Sequence, residues 1–365
     1  MGSPMRPALL LCLLAPALLA EENLFTQVDS DKDGKISPAE LPAEARPFVA
    51  LVDVDGDGHL SKPEFDRIAA NLQNLLPEEN SGSSDPHRNI DYVGTGNRRQ
   101  TLDLYYPKGA PAAKKLPVVV YIHGGGWMSG SKQEGKSFAS VITQTGKYIV
   151  ASINYRLIQE ALWPAQIHDC KAAIRYLRGN AAKLGLDSDR IAVMGSSAGG
   201  HLATLLGTSS GEKALEGSLG AFVQESSTVR AVINFFGPTN FETFFGKDRD
   251  IAEMARSSAP IRMLGSTDEE IRRNARIASP VHWITRQDPP VLTAHGTRDT
   301  IVPFSQATEL DEKLRAAGVT TYLIPMEGAG HGFGNHELDR RLHAFLDHHL
   351  LGQNTTIPST PIPVR

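Results

Sequence analysis

The sequence predicts an α/β protein: a mostly parallel sheet flanked by helices, preceded by a small helical segment built around repeated acidic loops. Three observations carry this expectation. Between residues 90 and 350 the runs rich in β-branched and aliphatic residues are apolar throughout instead of alternating, as strands buried on both faces must be. Helix-period segments fall between those runs, and strands alternating with helices at this spacing return parallel to one another. Finally, residues 29–40 and 53–64 repeat a single acidic pattern.

In chain order, MGSPMRPALLLCLLAPALLA at 1–20 has a positive start at Arg6, an apolar core and the small Ala20 before Glu21. That is the pattern of a secretory signal peptide, and the run is too short to span a bilayer and is interrupted by Pro16. The expected location is secreted or periplasmic. Removal of the signal leaves Cys170 as the one cysteine, so no intramolecular disulfide is expected. With a net charge of −4 and no cluster of Lys and Arg, nucleic acid is excluded as the main partner.

DSDKDGKISPAE (29–40) and DVDGDGHLSKPE (53–64) agree position by position. Each has Asp at positions 1, 3 and 5, Gly at 6, an aliphatic residue at 8, Ser at 9 and Glu at 12, the pattern of an EF-hand loop. Carboxylates converging on a hard cation explain Asp29, Asp31, Asp33 and Glu40 in the first loop. They explain Asp53, Asp55, Asp57 and Glu64 in the second. Position 7 offers only its backbone carbonyl, so Lys35 and His59 are suitable there. The expected cofactor is structural Ca2+, held by an EF-hand pair at 21–76, with none for catalysis.

Residues 77–88 are polar and rich in Ser, Pro and Gly and read as a linker. IDYVGTGNRRQTLDLYYP (90–107) reads as an antiparallel hairpin. The strands expected after it are LPVVVYIHG (116–124), YIVASINY (148–155), RIAVMG (190–195), RAVINFFG (230–237), PPVLTAHG (289–296) and TTYLIPM (320–326). Helices are expected at 165–185 and 305–318. The catalytic domain is placed at 89–352, and residues 353–365 are expected to form a disordered tail.

The chemistry begins at Gly195-Ser196-Ser197-Ala198-Gly199, a G-x-S-x-G motif between the strand RIAVM and the apolar-periodic HLATLLG. In that setting the motif marks a strained strand-to-helix turn that lifts its central serine above the sheet edge, which makes Ser197 the expected nucleophile. A serine hydroxyl needs a histidine to take its proton and an acid to orient that histidine. Asp299 follows the strand PPVLTAHG and His331 follows TTYLIPM, so both sit in loops at the carboxyl ends of parallel strands, where open α/β sheets place their sites. His123-Gly124-Gly125-Gly126-Trp127 follows VVVYI, and its glycines let backbone N–H groups turn toward an oxyanion. Gly124, Gly125 and Ala198 are the expected donors.

Together HGGGW, NYRL (154–157), WPAQIHD (163–169), GSSAGGHLA, HGTRDTIVP and GAGHGF resemble the HGGG-type carboxylesterases of the α/β-hydrolase fold. They look closest to the secreted branch with bacterial feruloyl and acetyl-xylan esterases and kynurenine formamidase-like proteins. The resemblance covers roughly residues 90–350 and implies the triad Ser197, Asp299 and His331. The elbow reads GSSAG where the hormone-sensitive-lipase group has GDSAG. The expected activity is hydrolysis of a small-molecule or polysaccharide-linked ester through an acyl-enzyme. Two rivals are a prolyl-oligopeptidase-type peptidase, which needs a propeller domain that residues 21–88 cannot hold, and a calcium-dependent binding protein with a vestigial hydrolase domain. Apolar residues of 238–278, such as Phe241, Phe244, Phe245, Met254 and Met263, are expected either in a pocket wall or in ordinary helix packing.

Overall fold

A computed structural model describes residues 24–41, 57–65, 85–109, 115–246, 248–255 and 258–364. The segment 1–20, the ligands Asp53 and Asp55 and most of the expected linker lie outside these residues. The chain divides into two compact units, Met1–Leu76 and Pro77–Arg365.

In the first unit, helix α1 (Leu24–Val28) precedes two short strands, β1 (Lys35–Ile36) and β2 (Leu60–Ser61). They pair antiparallel with Ile36 opposite Leu60, so the aliphatic residues at position 8 of the two loops meet. Ile36, Leu60 and Phe65 form a small core against Phe25, Val28 and Leu41.

The second unit is a nine-stranded sheet in the order β11-β10-β9-β8-β7-β5-β6-β4-β3. Its chain begins with β3 (Ile90–Asp91), β4 (Thr101–Tyr105), β5 (Leu116–Ile122), α2 (Gly135–Thr143) and β6 (Ile149–Ile153). It continues through α3 (Ala165–Gly179), β7 (Leu186–Ser196), α4 (Ala198–Thr208), α5 (Lys213–Glu216) and β8 (Ala231–Phe235). Then come α6 (Ile251–Ala255), α7 (Asp268–Ala278), β9 (Val291–Gly296), α8 (Ser305–Ala317), β10 (Thr321–Glu327), α9 (His336–Leu351) and β11 (Ile362–Pro363). The hairpin β3–β4 is antiparallel and lies at one edge, and every pairing from β6 to β11 is parallel.

The continuous apolar runs serve both faces at once. In β5, Val118, Val120 and Ile122 face a core shared with α3 and α4, while Val119 and Tyr121 face another shared with α2 and α9. Each such Val or Ile contributes roughly 1.5–3 kcal/mol when fully buried. Because β5 is followed by β6 on one side and lies beside β7 on the other, the strand order reverses there. At such a reversal open α/β sheets bind their ligands, outside the carboxyl ends of the strands.

Three boundaries differ from expectation. Helix α3 ends at Gly179, six residues before the expected limit of 185: a Cβ on Gly179 would lie 2.1 Å from the Phe222 ring, and Leu186 N–H turns back to the Ala181 carbonyl. The last residues of the expected linker belong to the sheet unit, since Leu104 N–H donates to His87 O and the Arg88 guanidinium lies 4.0 Å over the Tyr105 ring. The expected disordered tail is ordered. Its Ile362 and Pro363 run parallel to the edge of β10, Ile357 and Ile362 are buried, and the buried Arg341 guanidinium donates to the carbonyls of Pro358 and Thr360. An open sheet edge supplies backbone partners that a Pro-rich segment can use at alternate positions, and composition alone does not reveal that edge.

Candidate active site

Four loops meet at the carboxyl ends of β5, β7, β9 and β10. The turn after β7 holds Ser197 at φ 53° and ψ −120°, a left-handed backbone that a serine adopts only where the surroundings enforce it. Strand and helix press together at this turn: a Cβ on Gly199 would lie 2.1 Å from Ile122 O and 2.5 Å from His123 O. Only glycine fits there, which accounts for the small residues of the motif.

The three expected residues of the triad come together. His331 Nε2 is 2.9 Å from Ser197 Oγ, and His331 Nδ1 is 2.7 Å from Asp299 Oδ2. The other oxygen, Asp299 Oδ1, accepts the N–H groups of Ile301 and Val302, both at 2.9 Å. Burial by itself would raise the Asp299 carboxyl, but hydrogen bonds from His295 and His331 and from the Val302 N–H hold it well below the usual carboxylate range. It is therefore an anion whenever His331 is called on to act. The neighbouring Ser196 hydroxyl is 3.0 Å from the buried Tyr121 hydroxyl and takes no part in this chain.

The oxyanion loop packs on buried polar groups. Burial pushes His123 down to about 3, so its neutral ring donates from Nδ1 to Gly124 O at 2.8 Å while stacking on Tyr155 at 4.3 Å. Burial raises the nearby Glu134 carboxyl, and the Gly124 and Ser131 backbone offsets part of that rise. Gly124 packs against the nucleophile, its Cβ position 3.5 Å from Ser197 Cβ. Gly125 at φ 95° and Gly126 at φ 59° continue the loop in left-handed conformation. Among the described residues, the N–H groups of Gly125, Gly126 and Ala198 have no internal acceptor. Gly125 and Ala198 are two of the expected donors, and Gly126 joins them. Each such donor is worth roughly 3–4 kcal/mol to an oxyanionic transition state.

Two further residues escaped the sequence reading. Phe236, at φ 42° after β8, packs edge-on against the His331 ring at 4.7 Å and backs the imidazole. His295 lies within hydrogen-bond reach of Asp299; the only sequence signal for it was its place four residues before the acid in HGTRD. In the segment 238–278, Phe241 and Met263 are buried core residues, Phe241 against the Trp127 and His201 rings, so for them ordinary packing is the outcome. The quoted NYRL and WPAQIHD segments meet through Arg156, whose guanidinium grips the buried Asp169 carboxylate at 2.9 Å.

In the first unit, Asp29, Asp31 and Glu40 each bring a carboxylate oxygen within 4.8 Å of the others. Asp33 Oδ1 accepts Lys35 N–H at 2.8 Å, and Gly34 turns the loop at φ 85°. Glu40 accepts the backbone N–H of Ser37 at 2.7 Å and that of Ser30 at 2.8 Å; these bonds, that of Ser37 foremost, lower it to about 2. Glu64 accepts Ser61 N–H at 2.8 Å in the equivalent way. His59 N–H bonds to Asp57, whose other oxygen pairs with the Lys35 ammonium across the two loops. A cluster of all-oxygen donors with this charge and spacing fits a calcium ion.

A parallel sheet with a strained serine after β7, joined through histidine to aspartate, defines an α/β hydrolase of the esterase type, here carrying an EF-hand pair. Residues 102–314, more than half of the chain, match the BD-FAE family, and the chain belongs to that family. The EF-hand family matches residues 21–41 and 50–69. Esterase LipC of Mycobacterium tuberculosis is 34% identical over 238 residues, 64% of this chain and 57% of its own length. The chain thus spans little more than half the length of that curated relative. A truncated carbohydrate esterase from gut microbiota shares 31% identity at a TM-score of 0.65, over 72% of this chain and 95% of its own. A thermophilic esterase of Thermogutta terrifontis shares 29% at 0.55, over 68% and 86%.

Proposed function

We propose that this protein is an exported serine carboxylesterase that removes acyl groups, of the acetyl or feruloyl kind, from plant polysaccharide. The observation that carries the reading is the hydrogen-bonded series Asp299–His331–Ser197 at 2.7 and 2.9 Å. His331 Nε2 takes the Ser197 proton as Oγ attacks the ester carbon, and the imidazolium that forms faces the Asp299 carboxylate. The carbonyl oxygen gathers charge beside the free N–H groups of Gly125, Gly126 and Ala198. His331 then protonates the departing alcohol, and the same histidine activates water to release the acid. Support for the polysaccharide comes from the carbohydrate esterase likeness, and support for export comes from the signal pattern at 1–20.

A panel of p-nitrophenyl esters, methyl ferulate and acetylated xylan tests this. Acetate release from xylan or hydrolysis of methyl ferulate, at rates above those for long-chain esters, is the expected result. Turnover confined to long-chain esters would remove the polysaccharide assignment.

The EF-hand loops, we propose, bind calcium for stability and stand outside the chemistry, since none of the three catalytic side chains lies in residues 21–76. Calorimetric titration of the full chain should show calcium binding that Glu40→Gln and Glu64→Gln weaken. Bound calcium at 100 times its dissociation constant stabilises its unit by roughly 2.7 kcal/mol, so EGTA should lower the melting temperature while small-ester turnover persists. Turnover abolished by EGTA would show the metal coupled to the active site.

A further inference from the structure

His295, inside β9, is completely buried and lies one helical turn's worth of sequence before Asp299. Its Nε2 is 2.8 Å from the Val302 carbonyl oxygen and 3.2 Å from Asp299 Oδ2. Both neighbours are acceptors, so Nε2 carries the ring proton, donating to Val302 O with Asp299 Oδ2 beside it. Nδ1 has no hydrogen-bond partner among the described residues, and the Phe304 ring stands edge-on beside it at 5.8 Å. Leaving a buried ring nitrogen unpaired is unfavourable, and a Leu or Phe would fill this apolar position without that cost. Besides the bond to Val302 O, the histidine supplies an N–H 3.2 Å from Oδ2, the same oxygen that accepts His331 Nδ1–H at 2.7 Å.

We propose that His295 is a positioning residue of the esterase: it fixes Asp299 Oδ2 and moderates that oxygen's pull on His331. With Ile301 and Val302 N–H on Oδ1 and His295 on Oδ2, the carboxylate is held at both ends and cannot rotate away from His331. An oxygen shared between two donors is also a weaker acceptor for each. The proton that His331 takes from Ser197 Oγ is then released more readily to the alkoxide oxygen of the departing alcohol. The inference rests on the triad reading of Ser197, His331 and Asp299.

The test compares the pH dependence of ester hydrolysis by the unaltered protein, His295→Phe and His295→Gln. Among the described residues, the ionisable groups touching Asp299 are His295 and His331; Phe304 and Phe236 pack against those rings without titrating, and Arg298 is exposed. In His295→Phe, kcat should fall roughly 10- to 100-fold with KM nearly unchanged, as expected for losing a hydrogen bond to a charged group. Without the second donor Asp299 holds the His331 proton more tightly, so the acid limb of kcat/KM should move up by about 0.5–1 pH unit. His295→Gln, whose amide can still donate to Oδ2, should recover most of both. A fall in kcat with an unmoved acid limb, or His295→Gln no better than His295→Phe, would leave only packing and overturn the proposal. Nitrogen-15 NMR of histidine-labelled unaltered protein at pH 8 gives a reading independent of any variant's folding. A proton on Nε2 of His295 is expected, and a proton on Nδ1 overturns the proposal. If the unaltered protein hydrolyses no ester, the functional reading fails, while a proton found on Nδ1 of His295 would still overturn this inference by itself.

Discussion

Ser197→Ala should lower ester turnover by roughly 10⁴- to 10⁶-fold while the protein melts as before. Ser197 Oγ is the hydroxyl that meets His331 Nε2, and its backbone at φ 53° presents it above the sheet edge. The adjacent Ser196 hydroxyl is engaged by Tyr121, so it cannot turn to His331 without breaking that bond. Ser196→Ala should therefore keep activity within about tenfold, the difference reflecting a looser turn beside Gly124. His331→Ala should match Ser197→Ala, and the double variant should lose no more than either, because serine and histidine act as one unit. Initial rates on p-nitrophenyl acetate, per mole of folded protein, measure all four. Comparable losses at positions 196 and 197 would show that the nucleophile has been misassigned.

Asp299→Asn should cost roughly 10⁴-fold in kcat, and the geometry says why. The amide oxygen will take the Oδ1 place, where Ile301 and Val302 present two N–H donors. The NH2 group must then occupy the Oδ2 place and face His331 Nδ1, which now also donates. Donor meets donor, so His331 moves its proton to Nε2, and Nε2 can no longer accept from Ser197. The folded state should lose about 1–3 kcal/mol as well, because the two carboxylate bonds to the histidines are gone. Stopped-flow kinetics and a denaturant melt check the two halves. An Asn variant within tenfold of the unaltered protein would mean that another group orients His331.

The sequence by itself determined what depends on short-range pattern. Continuous apolar runs such as LPVVVYI can exist only as strands covered on both faces, so the parallel sheet was legible before any coordinate. G-x-S-x-G between a strand and a helix marked Ser197, because the close approach at Gly199 forces small residues into the sequence itself. Chain order and strand ends located Asp299 and His331, and the doubled Asp-x-Asp-x-Asp-Gly loops declared the EF-hand pair, of which Asp53 and Asp55 lie outside the described residues. Tertiary structure alone decided where individual donors point. Gly126, at φ 59° next to Gly125 at φ 95°, joins Gly125 and Ala198 as an N–H without an acceptor among the described residues. His295 looked like one more residue of an apolar strand until β9 and the loop to Val302 brought its Nε2 to Asp299. Residues 357–363 looked like a loose tail until the bare edge of β10 supplied a partner. A pattern records which residues must be small or apolar at their own positions. The direction of a hydrogen bond or the pairing of an edge is set by a distant group, and only the folded chain brings that group into range.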